Sequence, residues 1–435
     1  MKALLLDGSF ENDSTGERVL AALTSELRTQ GWGVEHVLLR EKEIGPCAGD
    51  FYCWIRTPGT CMLDDDNRAI AAEVAASDLV VFLTPVTFGG YSSALKSIVD
   101  HLIQNISPFF AKVEGETHHQ KRYEANPDLL AVGWLEAPDA GTEQVFRHLV
   151  QRNALNWRAE RAASQVVLAS ETDQALQAQI QAALSRLASG SGSEPIELPA
   201  AGGRATAEQP EPAGGAPEVQ NALLLVGSPK LKKSSSYLLG EYLFAKLAER
   251  SIQTETVFLH AAVRSPEKMA ALLAATDRAG LVVLAFPLYV DSLPAPVIEA
   301  LEAIALHRRD REGSPAQRFA AVANCGFPEA VHNTTALAIC ETFARQAGFA
   351  WAGWLSLGGG AGMGATAPLA EAGGRAAALK KPLDLAAEAL AQGETIPEEA
   401  QTLLAKPFAP VWLYRLIGNW SWPQQAKRWG AQKLL

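Results

Sequence analysis

The sequence predicts an α/β protein made of two tandem, doubly wound, five-stranded parallel sheets joined by a flexible linker. Three observations carry this reading. The first is the run Leu79-Val80-Val81-Phe82-Leu83, which passes through Thr84-Pro85-Val86-Thr87-Phe88-Gly89-Gly90 into an amphipathic helix. A strand apolar on both faces is buried on both, as in the centre of a parallel sheet. The second is the return of that pattern as Leu281-Val282-Val283-Leu284-Ala285-Phe286, then Pro287-Leu288-Tyr289-Val290-Asp291, with Pro85 mapping onto Pro287 at an offset of 202. The third is a pair of further matches in the same order. Gly8 maps onto Gly227 at an offset of 219, and Ala131–Pro138 echoes Ala321–Pro328. Ordered matches of this kind imply internal duplication.

The elements follow in order. Lys2–Asp7 is a short buried strand, and after Gly8–Thr15 comes a helix with Val19, Leu20, Leu23 and Leu27 in period. Val34–Leu39 is a second strand. Glu41–Asp66 is irregular and holds Cys47, Cys53 and Cys61; a helix through Ile70 and Val74 then leads to the central strand. Leu129–Leu135 and Gln165–Ala169 are the remaining strands, with a helix over Val145–Asn153 between them. Alternating strands and helices mean a parallel sheet with helices on both faces. Ser189–Glu218 has hardly a large apolar side chain and reads as a linker. Ala222–Val226 restarts the series. The domains expected are 1–188, the linker 189–218, a second sheet at 219–392, and a Trp-rich extension at 393–435.

Composition narrows the function. A chain of 435 residues exceeds one ordinary core. The net charge of −10 argues against a nucleic-acid partner. No apolar run reaches membrane-spanning length, and the first residues carry no leader pattern. Five cysteines fit a reducing compartment, so a cytoplasmic protein is expected.

The candidate site is the carboxyl edge of each sheet, where open α/β folds bind ligands. A Gly-Ser pair, a spacer and adjacent hydroxyl residues lie between the first strand and first helix of each unit. They are Ser9, Asn12, Ser14 and Thr15 in the first, and Ser228, Lys230, Ser234, Ser235 and Ser236 in the second. Small residues allow close backbone approach, and a helix start offers unpaired N–H groups to an anion. A capped helix after a tight turn is the plain alternative. Lys230, Lys232 and Lys233 make the second loop the better phosphate candidate, since Glu11 and Asp13 repel anions in the first. The facing loops, Pro85–Tyr91 and Pro287–Leu293, bring Phe88, Tyr91 and Tyr289 to flank a planar ring, unless they are only strand-to-helix turns. No G-x-G-x-x-G follows either first strand, so a mononucleotide is expected rather than a dinucleotide.

These residues carry a resemblance. GSFENDST, PCAGDFYCW…TPGTC…DDD and LTPVTFGGYSSALKSIVDHL in the first unit, with GSPKLKKSSS, AFPLYVDSLPAPVIEALE and NCGFPEA in the second, resemble the flavodoxin-like NAD(P)H-dependent FMN reductase and iron–sulfur flavoprotein superfamily. The resemblance implies that the Gly-Ser loop holds the FMN phosphate. It puts the isoalloxazine ring against Pro85, Val86, Thr87, Phe88, Gly89 and Gly90, or against Pro287, Leu288, Tyr289, Val290 and Asp291. Asn324, Cys325 and Gly326, and Trp134 to Glu136 in the first unit, lie alongside. It implies an oxidoreductase passing electrons from NAD(P)H through FMN to a quinone, flavin or similar small acceptor. A flavodoxin-type electron carrier and a flavin-less pseudo-dimer scaffold are the alternatives.

Related cysteine segments often read Cys-x2-Cys-x2-Cys with another downstream. Here Asp50 stands where the second would fall, leaving a four-thiolate site one ligand short. No metal is expected, and inert structural cysteines are the favoured reading over a redox-active thiol pair. His118 and His119 are read as loop packing or a substrate contact, and Cys340 as core. The tail, with Trp412, Trp420, Trp422 and Trp429 beside Arg415, Lys427 and Arg428, is read as clamping a neighbouring domain or covering a cofactor; lying on a membrane is the less favoured option. The two units are expected to pair within the chain as a pseudo-dimer.

Overall fold

The computed structural model describes residues 1–190, 196–198, 219–309, 317–363 and 368–435. The expected linker lies outside these residues except at 189, 190 and 196–198. The chain divides into two compact units, Met1–Leu198 with Arg415–Leu435, and Pro199–Tyr414.

The first unit runs β1 (Lys2–Asp7), α1 (Ser14–Thr29), β2 (Gly33–Leu38), α2 (Tyr52–Ile55), α3 (Asn67–Ala75), β3 (Leu79–Pro85), α4 (Ser93–His101), β4 (Ile106–Val113), β5 (Glu116–Lys121), β6 (Asp128–Leu135), α5 (Ala140–Trp157), β7 (Ala162–Leu168) and α6 (Asp173–Ser189). Its sheet is parallel in the order β2-β1-β3-β6-β7. Register runs Leu5 to Val81, Phe82 to Ala131 and Val132 to Gln165. Counting sheet strands along the chain, this is 2-1-3-4-5, the flavodoxin-like order. Leu79 to Leu83 are essentially fully buried, as their unbroken apolar run requires. Asp13, Ser92, Asp139 and Thr172 each accept from a first-turn N–H and so start α1, α4, α5 and α6.

The antiparallel hairpin β4–β5 was not expected. Its turn, Glu114-Gly115, has both residues at positive φ. His118 and His119 therefore sit on a strand rather than in a loop. His118 Nδ1 meets Asn156 Oδ1 at 2.7 Å, and the His119 ring lies 4.6 Å from that of Trp54.

The second unit runs β8 (Asn221–Val226), α7 (Ser235–Ala248), β9 (Gln253–Phe258), α8 (Leu259–Ala262), α9 (Pro266–Arg278), β10 (Leu281–Pro287), α10 (Ala295–Arg308), β11 (Arg318–Asn324), α11 (Thr334–Gln346), β12 (Ala350–Leu357), α12 (Gly374–Ala377), α13 (Lys380–Ala391) and α14 (Glu398–Leu404). Its sheet, β9-β8-β10-β11-β12, repeats the same order. Cys340 is fully buried on α11.

The tail is not one extension. Ile396, Ala400 and Leu404 are buried in the core of the second unit. The last helix, α15 (Val411–Lys427), runs on into residues that belong to the first unit. There Trp422 packs edge-on against Phe51 and Trp54, and Trp429 against Tyr52. Asn419 holds the backbone of Phe110, accepting from its N–H (2.6 Å) and donating to its carbonyl (3.1 Å). Part of the tail thus covers the cysteine segment. No described helix is long and apolar enough to cross a membrane.

Candidate functional site

In the first unit β1 and β3 lie side by side and their crossovers leave in opposite directions, which opens a crevice at their carboxyl ends. The loops after the two strands are stitched together. Gly8 N–H donates to Leu83 O (2.8 Å), Ser92 Oγ to Gly8 O (2.6 Å) and Ser92 N–H to Thr84 Oγ1 (2.9 Å). Only glycine fits at position 8, where an added Cβ would lie 2.6 Å from Leu95 Cβ.

Beyond Ser9 the loop turns through Asn12, at φ 58°. Asp13 caps α1 through Gly16 N–H (2.9 Å), and its second oxygen accepts from Trp134 Nε1 (3.0 Å). The main-chain N–H groups of Phe10, Glu11, Asn12, Ser14 and Thr15 have no protein partner among the described residues. They form a row of donors leading into a helix start, the arrangement that receives an anion. Asn12 and Ser14 are exposed, while Ser9 and Thr15 are buried. Arg40, on the turn after β2, donates from Nη1 to Ser9 Oγ (2.8 Å) and brings a cation to the loop. Asp7 accepts from Ser9 N–H and meets His36 Nε2 at 2.9 Å. Burial raises the Asp7 carboxyl, but these bonds outweigh it and hold the group below its ordinary value.

The loop after β3 is a tight turn. Thr87 and Gly90 exchange both backbone bonds (3.0 and 2.7 Å), with Phe88 and Gly89 at φ 55° and 84°. These are the angles of a type I′ turn. A Cβ at Gly89 would lie 2.6 Å from Val145 Cβ. Pro85 and Val86 are half-buried, and Thr87, Phe88 and Gly90 are buried. Two ring contacts expected from sequence are corrected here. Phe88 is 7% exposed, and Tyr91 is fully buried with its hydroxyl donated to Asn153 Oδ1 (2.9 Å). Both rings are core. Trp134 is likewise buried, beneath the start of α1, while Glu136 is exposed.

The second unit keeps the frame and changes the loop. Gly227 N–H donates to Ala285 O (2.8 Å). The spacer then curls into a 3-10 turn, Leu231–Lys233. The N–H groups of Leu231, Lys233 and Ser234 donate to Ser228 O, Lys230 O and Leu231 O. Ser234 caps α7. Ser235 Oγ donates to Gly360 O (2.9 Å), and Ser236 Oγ accepts from Asn324 Nδ2 (2.8 Å). Ser228 is buried, and Lys230, Lys232 and Lys233 are exposed. Two residues past β9, where the first unit has Arg40, stands His260; burial pulls it down to about 4, so it is neutral near pH 7.

The facing turn has Tyr289 and Ser292 paired (2.9 and 3.1 Å) and left-handed Val290 and Asp291. Pro287, Leu288, Tyr289 and Val290 are half-buried; Asp291 is buried. Asn324 also donates to Phe286 O (2.9 Å). Burial pushes the Cys325 thiol up to about 12. Gly326 O accepts from Tyr414 OH (2.7 Å).

A cavity of about 260 Å³ in the first unit is lined by none of the residues of the Gly8 or Pro85 loops. Cys47, Cys53, Cys61, Met62, His101 and Ile103 line it. Cys61 Sγ is 3.6 Å from His101 Nδ1, and His101 Nε2 donates to Gly45 O (2.7 Å). Arg40 and His101 escaped the motif reading because each reaches its site from a distant part of the chain. Their signals were a basic residue just past the second strand and a histidine ending the helix after the Pro85 turn.

Residues 1–116 match the model of the NADPH-dependent FMN reductase family. The chain is 26% identical over 103 residues to an iron–sulfur flavoprotein of Methanosarcina thermophila, covering 24% of this chain and 53% of that protein. It is 28% identical over 100 residues to an iron–sulfur flavoprotein of Methanocaldococcus jannaschii, covering 23% and 51%. The chain thus spans about half the length of these curated relatives. Among solved structures it is similar to an NAD(P)H:quinone oxidoreductase of Methanothermobacter marburgensis (13% identity, 43% of this chain and 96% of that one, TM-score 0.33). It is also similar to an FMN-dependent NADH-azoreductase of Bacillus anthracis (15%, 40% and 99%, TM-score 0.30). The resemblance read from the motifs holds at this level.

Proposed function

We propose that the chain is an FMN-dependent oxidoreductase that holds its flavin on the first unit and passes electrons from NAD(P)H to a quinone, flavin or similar small acceptor. The observation that carries this reading is the row of open N–H groups from Phe10 to Thr15 with Arg40 beside it. A phosphate suits that loop. The corresponding loop of the second unit turns the N–H groups of Lys230, Leu231, Lys233 and Ser234 onto its own oxygens and engages the Ser235 and Ser236 hydroxyls, so the lysines there do not make it the better cradle.

When bound, FMN supplies the hydride and electron chemistry. The chain's part is to hold and orient. Ser14, Thr15 and Arg40 receive the phosphate, and the Pro85–Gly90 turn fixes the position of a ring at the crevice. Seating that turn on Val145 keeps its backbone from shifting.

The relatives' name raises a cluster, and the residues do not fit one held by four thiolates. Asp50 is exposed, and its carboxylate accepts from Tyr52 N–H (3.0 Å) two residues on. No step is assigned to such a group.

The test is flavin extraction and stoichiometry on the whole chain, with NAD(P)H oxidation in the presence of a quinone. One FMN per chain and turnover is the expected result. FAD, or two flavins per chain, overturns the assignment, and bound FMN without turnover favours an electron carrier.

A further inference from the structure

We propose that Cys61, paired with His101 in the cysteine cavity, is a nucleophilic thiol that takes up low-molecular-weight disulfides as mixed disulfides. The site is independent of the flavin reading.

Its geometry comes from three segments. His101 ends α4, and a helix C-terminus favours a cationic imidazole. Its Nε2 is committed to the Gly45 carbonyl at 2.7 Å, so Nδ1 is the nitrogen that faces sulfur, at 3.6 Å. Cys61 is fixed in turn. Gln104 Oε1 accepts from its N–H (2.9 Å), and its carbonyl accepts from Arg68 Nε (2.8 Å). One proton is therefore shared between a thiol and an imidazole that neither residue is free to leave. Thiol–imidazole pairs activate the nucleophile in this way.

The surrounding charges act on both members. Burial and Asp65 raise the Cys61 thiol, yet the bonds from His101 and Leu63 N–H outweigh them and hold it below its ordinary value. Burial lowers His101, and Cys61, Gly45 O and Asp100 together raise it. At Cys47, Cys53 and Cys325 the groups that lower the thiol do not offset burial, and nothing offsets it at Cys340. Burial pushes Cys47 up to about 12 and drives Cys53 and Cys340 higher still, with Cys325 at about 12. Arg122 faces Cys53 but does not offset its burial. Of the five thiols, only Cys61 is held below its ordinary value and paired with an imidazole, and it is half-buried in a cavity large enough for a small reagent.

The step balances as thiol–disulfide exchange. The Cys61 sulfur attacks one sulfur of RS–SR, a new S–S bond forms, and the old one breaks. RS⁻ leaves and takes the proton that Cys61 and His101 shared, giving RSH. Cys61 is oxidised and the departing sulfur reduced.

The experiment treats the native full chain with 2,2′-dithiodipyridine, and separately with oxidised glutathione. It follows thiol release between pH 5 and 9 and maps the adduct by peptide mass. One equivalent should react quickly at pH 7, on Cys61, and Cys61→Ser should abolish that phase. His101 is a positioning residue, so His101→Gln should slow the reaction at least tenfold at pH 7 and move the rate profile to higher pH. Both variants are checked for wild-type circular dichroism and melting first. If His101→Gln does not fold, the wild-type profile decides alone: a midpoint below that of a free thiol supports the pairing. Modification of a different cysteine, an unmoved profile in folded His101→Gln, or no fast phase in the native protein overturns the proposal.

Discussion

Arg40 is exposed but bonded to Ser9 Oγ, so under the proposed function its guanidinium serves the phosphate more than the fold. Arg40→Ala is expected to weaken FMN by about tenfold, about 1.4 kcal/mol, while stability moves by no more than about 0.5 kcal/mol; fluorescence titration and a melt measure the two. Asp7 tests the acid side. Its folded value lies below the unfolded one, so it stabilises fully above about pH 4, and that contribution is lost as pH falls through the folded value. Asp7→Asn should cost about 1–3 kcal/mol at pH 7 and progressively less below pH 4, read from denaturant midpoints across pH. Lys96 and Asp100 form a buried ion pair one helical turn apart. Lys96→Met leaves the carboxylate buried without its cation and should cost about 3–5 kcal/mol, with Lys96→Met/Asp100→Leu recovering part of it. The Gly-Ser loops were legible as turns into capped helices, because glycine and hydroxyl residues signal such turns locally. Tyr91 was misread for the same reason: proximity in sequence to a ring site says nothing about which way a side chain turns. Phe82 and Phe146 close around it, which no local pattern announces.

The strands were legible because apolar runs and alternation record burial directly, and their ends fell within a few residues of the prediction. The β4–β5 hairpin was not, since its strands carry Lys112, Thr117 and two histidines. Its signal was Glu114-Gly115, a turn pair with glycine at the second position. The Pro287 turn makes a prediction at this scale. Val290 is β-branched and held at φ 48°, which costs of order 1 kcal/mol or more. Val290→Gly should therefore stabilise the second unit by roughly 1 kcal/mol, seen as a higher melting temperature. A loss instead would mean that the valine side chain contributes more than its backbone angle costs.

The two sheets share one strand order, yet the first unit is not continuous in sequence, because Arg415–Leu435 belongs to it. Aromatic composition marked the tail as clamping a domain or covering a cofactor, and the described contacts place its rings on the cysteine segment instead. A chain ending at Tyr414 should keep its first sheet and lose the rings over Phe51, Tyr52 and Trp54. Cys53, now 8% exposed, should then react with thiol reagents at least tenfold faster, which peptide mapping would show. The same discontinuity has a temporal side. About two hundred residues separate Leu198 from Arg415, and a ribosome adding roughly 5–20 residues per second takes about 10–40 s to cross them. Through that interval the nascent first sheet stands complete while its thiols wait for a cover that is still unsynthesised. A ribosome that stalls before the final helix would release a chain with those sulfurs open to chaperones, oxidants and proteases. Covering those sulfurs is thus a late step in building the first unit, because it waits on residues made after the whole of the second.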